Sequence, residues 1–358
     1  MAAGDCRASR REQAIPRRAC RRAFDVSAAG PSQGANRSPS GGRGQSVAAP
    51  AASVGVSIPL VQIGTLVVVG VGLIGGSCAL ALRAAGAVSR IIGVGRGRGN
   101  LDDALRRGIV DFAYTLDEDW ALELTSSDIV LVAAPLAQYP ALLSIIAPAI
   151  GRQTVVTDAG STKQDVIATA RAAFRDGISR FVPGHPIAGS EQSGALAADG
   201  ALFVGRDVIL TPTSDTAPDA CARVTTLWQA CGAHVTTMSA AAHDQALAAV
   251  SHLPHILAFA LVAELASRRD GAELFARAGT GFRDFTRIAA SSPEMWRDVA
   301  LANREALLDE LARFRAALDN ATQMLAQRNG AELAALFKRA SMARRRLDKA
   351  GSSGGDAT

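Results

Sequence analysis

Residues 66–75 read Leu66-Val67-Val68-Val69-Gly70-Val71-Gly72-Leu73-Ile74-Gly75. Four apolar residues running into glycine are a short buried-strand signal. The glycines fall as G-x-G-x-x-G, and a helical pattern follows from Ser77 to Ala85. Each glycine has its own physical task. Gly70 permits the tight turn, Gly72 lets the backbone approach a pyrophosphate, and Gly75 lets the helix lie close on the strand. The helix then presents its free N–H groups to the phosphates. A plain tight turn satisfies the glycine spacing alone; the strand–turn–helix setting is what points to a dinucleotide. Leu73 and Ile74 belong to this loop and join the glycines as cofactor-lining candidates.

The same alternation continues outward. Arg90–Val94, Asp128–Ala133 (closed by Pro135, a further cofactor-side candidate), Val155–Thr157, Phe181–Val182 and Asp207–Leu210 read as strands. Helical patterns at Leu101–Arg107 and Thr162–Phe174 lie between them. Strands alternating with helices predict a mostly parallel sheet covered on both faces. Beyond Ala242 the strand signals stop. His243–Ser267 (interrupted at Pro254), Pro293–Leu325 and Ala331–Leu347 read as long helices. The expected fold is therefore α/β: a Rossmann-type domain over residues 61–238 and an all-helical domain over 239–348. A basic extension (1–60) and a Gly/Ser-rich tail (349–358) are expected to be disordered, because neither buries enough apolar surface to offset its ordering entropy.

At 358 residues the chain has room for two domains, and its 48% hydrophobic content is ample for packed cores. The net charge of +5 suggests nucleic acid or an anionic membrane only until it is located. Nine arginines against three acids lie in residues 1–50, so the basic excess belongs to the extension and the folded part is close to neutral. Neither nucleic acid nor membrane is expected as a partner. No uninterrupted apolar run looks long enough to span a bilayer. The five cysteines are odd in number and scattered, without C-x-x-C pairs, which suits free thiols in a reducing compartment and a cytoplasmic location.

The second strand bears on the choice of cofactor. An acid about twenty residues after the glycines would hold the ribose hydroxyls of NAD. Here the strand runs out through Gly95-Arg96-Gly97-Arg98 with no acid before Asp102. Arg96 and Arg98 are either solvated loop cations or receivers of a 2′-phosphate. NAD and NADP both stay open, with the balance towards NADP or dual use.

Three further clusters carry chemistry: Asp158-Ala159-Gly160-Ser161-Thr162-Lys163, Gly184-His185-Pro186-Ile187-Ala188-Gly189-Ser190-Glu191, and Phe282-Arg283-Asp284-Phe285-Thr286-Arg287-Ile288-Ala289, the last followed by Trp296. Ser251-His252-Leu253-Pro254-His255 lies between the last two. Taken together, and in this order after a dinucleotide loop, they resemble the prephenate/arogenate dehydrogenase family from about Leu66 to Leu325. The resemblance implies oxidative decarboxylation of prephenate, or of L-arogenate, to 4-hydroxyphenylpyruvate or tyrosine, with hydride transfer to NAD(P). It implies a role in tyrosine biosynthesis and a homodimer joined through the helices.

The resemblance also assigns residues. His185 takes or hydrogen-bonds the proton of the substrate's ring hydroxyl, work suited to imidazole near neutral pH. Ser161 stands near the nicotinamide and that hydroxyl, although a serine there is equally a helix N-cap. Arg287 binds a substrate carboxylate through two parallel hydrogen bonds, the alternative being an exposed helical arginine. His255 lines the substrate pocket and Trp296 packs beside the substrate. His252 shares a helical face with His255 and otherwise packs around Pro254. The pair has a spacing conceivable for metal, but lacks a third ligand nearby, so no metal is expected. Glu191 is an ionic gate or a plain surface carboxylate. His234 and His243 have no motif context and read as ordinary residues. Rival readings are another two-domain dehydrogenase of the β-hydroxyacid type and a non-catalytic dinucleotide sensor.

Overall fold

Val67, Val68 and Leu66 are all inaccessible to solvent, so the first strand is covered on both faces and must be central. The computed structural model describes residues 62–190 and 192–352; the expected extension, Glu191 and the last six residues of the expected tail lie outside them. The elements run β1 (Ile63–Val69), α1 (Leu73–Ala84), β2 (Val88–Gly95), α2 (Arg98–Arg106), β3 (Phe112–Thr115), β4 (Ile129–Val132), α3 (Tyr139–Ala149), β5 (Val155–Asp158), α4 (Gln164–Phe174), β6 (Phe181–Val182), β7 (Gly184–Pro186), β8 (Asp207–Leu210), α5 (Pro218–Ala230) and β9 (His234–Thr237).

Strands β1 to β6 form one parallel sheet in the order β3-β2-β1-β4-β5-β6. The chain reverses direction across the sheet between β1 and β4, and the crevice beyond their carboxyl ends is where such sheets bind ligands. Leu66 and Val68 face a core shared with Leu82, Phe203 and Trp228, while Val67 and Val69 face one shared with Trp120, Leu143 and Phe181. The expected Rossmann-type sheet is present, with one correction. Asp207–Leu210 does not extend it. Together with β7 and β9 it makes a second, three-stranded sheet, in which β7 runs antiparallel to β8. The step follows from Pro183, which has no N–H for the ladder after the two-residue β6. Its carbonyl instead accepts from Thr211 N at 2.9 Å, starting the new pairing.

After β9 the described residues are helical: α6 (Ala240–Leu247), a π-helical turn (Ala248–His252), α7 (Leu253–Ser267), α8 (Gly271–Ala276), α9 (Thr280–Thr286), a 3-10 turn (Arg287–Ala290), α10 (Pro293–Ala302), α11 (Arg304–Ala326) and α12 (Gly330–Ser352). Residues 349–352 of the expected tail therefore continue a helix. The interruption expected at Pro254 falls one turn earlier, as the wide turn. Proline has no N–H and its ring crowds the carbonyl four residues back, here that of Val250, so the chain widens just before it. Ala240–Ser267 as a whole is 28 residues long and apolar enough to cross a membrane by length and composition, contrary to the sequence expectation. It nevertheless carries the buried polar groups His243, Asp244 and His252.

Candidate active site

The glycine loop has the geometry its spacing predicts. Gly70 has φ +105°, and a Cβ there would lie 2.4 Å from the Ala133 carbonyl oxygen. A Cβ on Gly75 would lie 2.2 Å from the Gly70 carbonyl oxygen and 2.7 Å from Val68 Cγ1. At Gly72 nothing lies within 4 Å, so its face is open. Gly72 is the N-cap of α1, with no side-chain cap and no acid in the first turn, which leaves N–H groups for an anion. The residues present fit a dinucleotide pyrophosphate. Pro135 is exposed in the segment after β4, directly following Ala133 and Ala134, which pack against Gly70. Of the two arginines after β2, Arg98 makes an exposed ion pair with Glu118. Arg96 stays exposed at the strand's end.

The D-x-G-S-x-K segment and the strand bearing His185 are one construction. Asp158 ends β5 and is wholly buried, as is Lys163. Lys163 Nζ donates to Asp158 Oδ2 at 2.5 Å and to the Gly184 carbonyl at 2.6 Å. Asp158 also accepts from Gly160 N (2.8 Å), Gly184 N (3.0 Å) and Tyr139 OH (3.2 Å). Both backbone groups of Gly184 are therefore tied to this ion pair, and the next residue, His185, starts from a fixed point. His185 lies within β7, opposite Ile209, rather than in a loop after a strand.

Around the imidazole the structure adds residues the sequence reading passed over. His185 Nδ1 lies 2.9 Å from His243 Nε2, and His243 Nδ1 lies 2.8 Å from Asp244 Oδ1. His243 and Asp244 are buried. The Asp244 carboxylate also accepts from the amides of Lys163 (2.8 Å) and Gln164 (2.9 Å), closing the N-terminus of α4. That cap displaces the one expected of Ser161: α4 starts at Gln164 and Ser161 does not cap it. Ser161 is half-buried, two residues before the Asp244-bound amides, and makes no side-chain hydrogen bond among the described residues. Reading His243 as an ordinary residue is corrected here; the one signal for it was the adjacent His-Asp pair, which matched no motif.

His252 is buried, with Nδ1 3.1 Å from Asn303 Nδ2 and Nε2 left without a partner. Asn303 Nδ2 also donates to the Asp244 carbonyl at 2.7 Å. His252 meets Trp296 edge-on, with centroids 6.0 Å apart, and His255 stacks on Trp296 at 3.4 Å. His255 Nδ1 donates to the Ser251 carbonyl at 2.9 Å. Trp296 Nε1 is buried and unpartnered. Arg287 is exposed on the 3-10 turn after α9, near enough for its charge to act on His255. The structure thus joins His185, His252, His255, Trp296 and Arg287 into one continuous neighbourhood. No group of metal-ligating side chains occurs among the described residues.

The electrostatics favour neutral imidazoles. Burial, then the Lys163 charge and the neighbouring His243 and His252 rings, hold His185 well below the ordinary histidine range. Burial lowers His252 to about 4, against the opposing pull of Asp244. Burial also lowers His255, with Arg287 adding to it and the Ser251 carbonyl opposing. Burial pushes Asp244 up, but the hydrogen bonds from His243 and the Gln164 and Lys163 amides outweigh it and hold the carboxyl below its usual range.

A glycine loop of dinucleotide type at the end of a parallel sheet, followed by a buried histidine network shared with a helical region, is the arrangement of a two-domain nicotinamide-dependent oxidoreductase. The nucleotide-binding domain of prephenate dehydrogenases matches residues 78–237, and their dimerization domain matches residues 239–339. The chain belongs to the prephenate dehydrogenase family. It is 35% identical to prephenate dehydrogenase from Bacillus subtilis over 77% of this chain and 74% of that protein. It is 32% identical to cyclohexadienyl dehydrogenase from Zymomonas mobilis over 78% and 94% respectively. Its fold is similar to a crystal structure of prephenate dehydrogenase from Aquifex aeolicus in complex with hydroxyphenyl propionate and NAD+. The TM-score is 0.75 at 33% identity, covering 80% of this chain and 99% of that one.

Proposed function

We propose that the protein catalyses the oxidative decarboxylation of prephenate, and of L-arogenate, to 4-hydroxyphenylpyruvate or tyrosine, with hydride transfer to NAD(P). One observation carries the reading. His185 has its Nδ1 tied back to His243, and its Nε2 has no partner among the described residues. It is kept neutral in the same neighbourhood as a guanidinium suited to a carboxylate. A neutral imidazole so placed accepts a proton from a ring alcohol.

The bound dinucleotide supplies the hydride acceptor. The chain's own residues do the rest. Arg287 holds one substrate carboxylate, and the His255–Trp296 stack forms a flat wall for the ring. His185 Nε2 takes the hydroxyl proton as the C–H electrons leave the same carbon. Carbon dioxide is then lost from the opposite ring carbon, whose bonding electrons complete the aromatic ring. The new phenolic oxygen recovers a proton from His185. Ser161, half-buried just after the D-x-G turn, holds the hydroxyl in this reading. His252 lines the pocket.

The residues 239–339 matched to a dimerization domain support a homodimer. Phe314, Leu318 and Leu325 of α11 and Phe337 of α12 are exposed apolar side chains that a second copy would cover. The separate thiols of Cys78, Cys221 and Cys231 suit a cytoplasmic location.

The test is the His185→Asn variant, assayed with prephenate and arogenate against NAD and NADP. Turnover should collapse while dinucleotide binding persists. Unchanged turnover would remove the proposed chemistry.

A further inference from the structure

The structure assigns His243 and Asp244 as positioning residues that set which nitrogen of His185 carries the proton. The inference rests on His185 being the base. Both residues are buried and neither was identified by any motif.

The argument is one of donor and acceptor accounting. The Asp244 carboxylate is held ionised by two amides of the α4 N-terminus and only accepts. His243 Nδ1, 2.8 Å from it, must therefore carry the hydrogen. In neutral His243 that leaves Nε2 as an acceptor. His185 Nδ1, 2.9 Å away, must then be the donor. A neutral His185 with its hydrogen on Nδ1 has its lone pair on Nε2, the form a base facing substrate requires. When Nε2 takes a proton, the resulting imidazolium still donates through Nδ1 to His243, in line with Asp244, so the new charge is stabilised through two hydrogen bonds.

The other groups around His185 do not set this choice. Lys163 is spent on Asp158 and the Gly184 carbonyl. His252 is engaged by Asn303 through Nδ1. Neither makes a hydrogen bond to His185.

His243→Phe is the decisive variant, and Asp244→Asn accompanies it. Asparagine has a single acceptor oxygen for three N–H donors, so its amide nitrogen must face one of them. The oxygen that takes His243 also takes the Lys163 amide, so the asparagine nitrogen falls to Gln164 and the imidazole keeps its hydrogen against a weaker, uncharged acceptor. His243→Phe removes the acceptor altogether. Both variants should lower kcat about a hundredfold or more, by analogy with the loss of an imidazole-orienting carboxylate. Dinucleotide affinity, read by nicotinamide fluorescence, should be unchanged. The ¹⁵N spectra of histidine-labelled protein should show His185 protonated on Nδ1 in the wild type and distributed over both nitrogens in His243→Phe.

Wild-type kcat in both variants, a wild-type His185 protonated on Nε2, or an unaltered His185 tautomer in His243→Phe, would overturn the assignment. So would a kcat loss matched by a loss of folded protein. If the relay variants stay active while His185→Asn is dead, the relay fails and the base survives. If His185→Asn is active, the base itself fails.

Discussion

Lys163 and Asp158 meet as a fully buried ion pair, 2.5 Å apart, and the same ammonium also holds the carbonyl of Gly184. Removing one member leaves the other charge uncompensated. Lys163→Met should therefore destabilise the protein by about 3–5 kcal/mol, far more than the loss of an exposed pair. Urea unfolding checks the magnitude. The His185 proton affinity should also rise, because the Lys163 charge depresses it. In any folded variant the acid limb of kcat/KM should move to higher pH.

The glycine loop separates folding from binding. Gly75→Ala places a methyl 2.2 Å from a backbone oxygen and should cost stability. Gly72→Ala meets nothing in the protein and should keep the melting temperature, yet weaken dinucleotide binding, because the methyl fills the open face of the turn. Calorimetry and a dinucleotide titration of both variants distinguish the two effects.

Arg96 is exposed at the end of β2, two residues before Arg98, which is exposed and paired with Glu118. Arg96→Asp should weaken NADP binding about tenfold or more and improve NAD binding, as an acid there suits the ribose hydroxyls. Dissociation constants for the two dinucleotides test this directly.

Arg287→Lys retains the charge and loses the fork. KM for the acidic substrate should rise about tenfold, with a smaller change in kcat, if the interaction is made equally in ground and transition states. Steady-state kinetics at fixed dinucleotide decides it.

Acid should unfold this protein through its histidines. His252 binds a proton near 6.5 when unfolded and only near about 4 when folded. The unfolded chain therefore holds more protons between these values, so stability is full above pH 6.5 and declines as pH falls toward 4. This one residue accounts for ~3 kcal/mol. His185 and His255 shift the same way. His252→Gln should flatten the dependence of unfolding free energy on pH across that window.

The sheet domain and its cofactor loop were legible from residues 66–75, because strand, glycine spacing and helix are local patterns. His185, Arg287, His255 and Trp296 were reachable only through motif resemblance, and the structure brings them together. His243, Asp244 and Asn303 were not reachable. Their roles depend on contacts between residues 58, 80 and 59 positions apart, to His185, Gln164 and Asp244 respectively. Single-chain periodicity does not register such separations. The second sheet was missed for a similar reason: β7 and β8 pair across more than twenty intervening positions, and their alternation alone does not say which sheet they join.

The wide turn at Ala248–His252 determines the angular order of everything after it. In a regular helix successive residues advance about 100°, so Asp244 and His252, eight apart, would be roughly 80° out of line. Winding more loosely over five residues takes up nearly all of that offset, and one asparagine, Asn303, reaches both. The loose winding thus absorbs the one residue by which this stretch exceeds two regular turns. A chain one residue shorter at Val250, an exposed position, would wind regularly through about 700°, roughly 20° short of two turns, and keep both halves of the pocket facing each other.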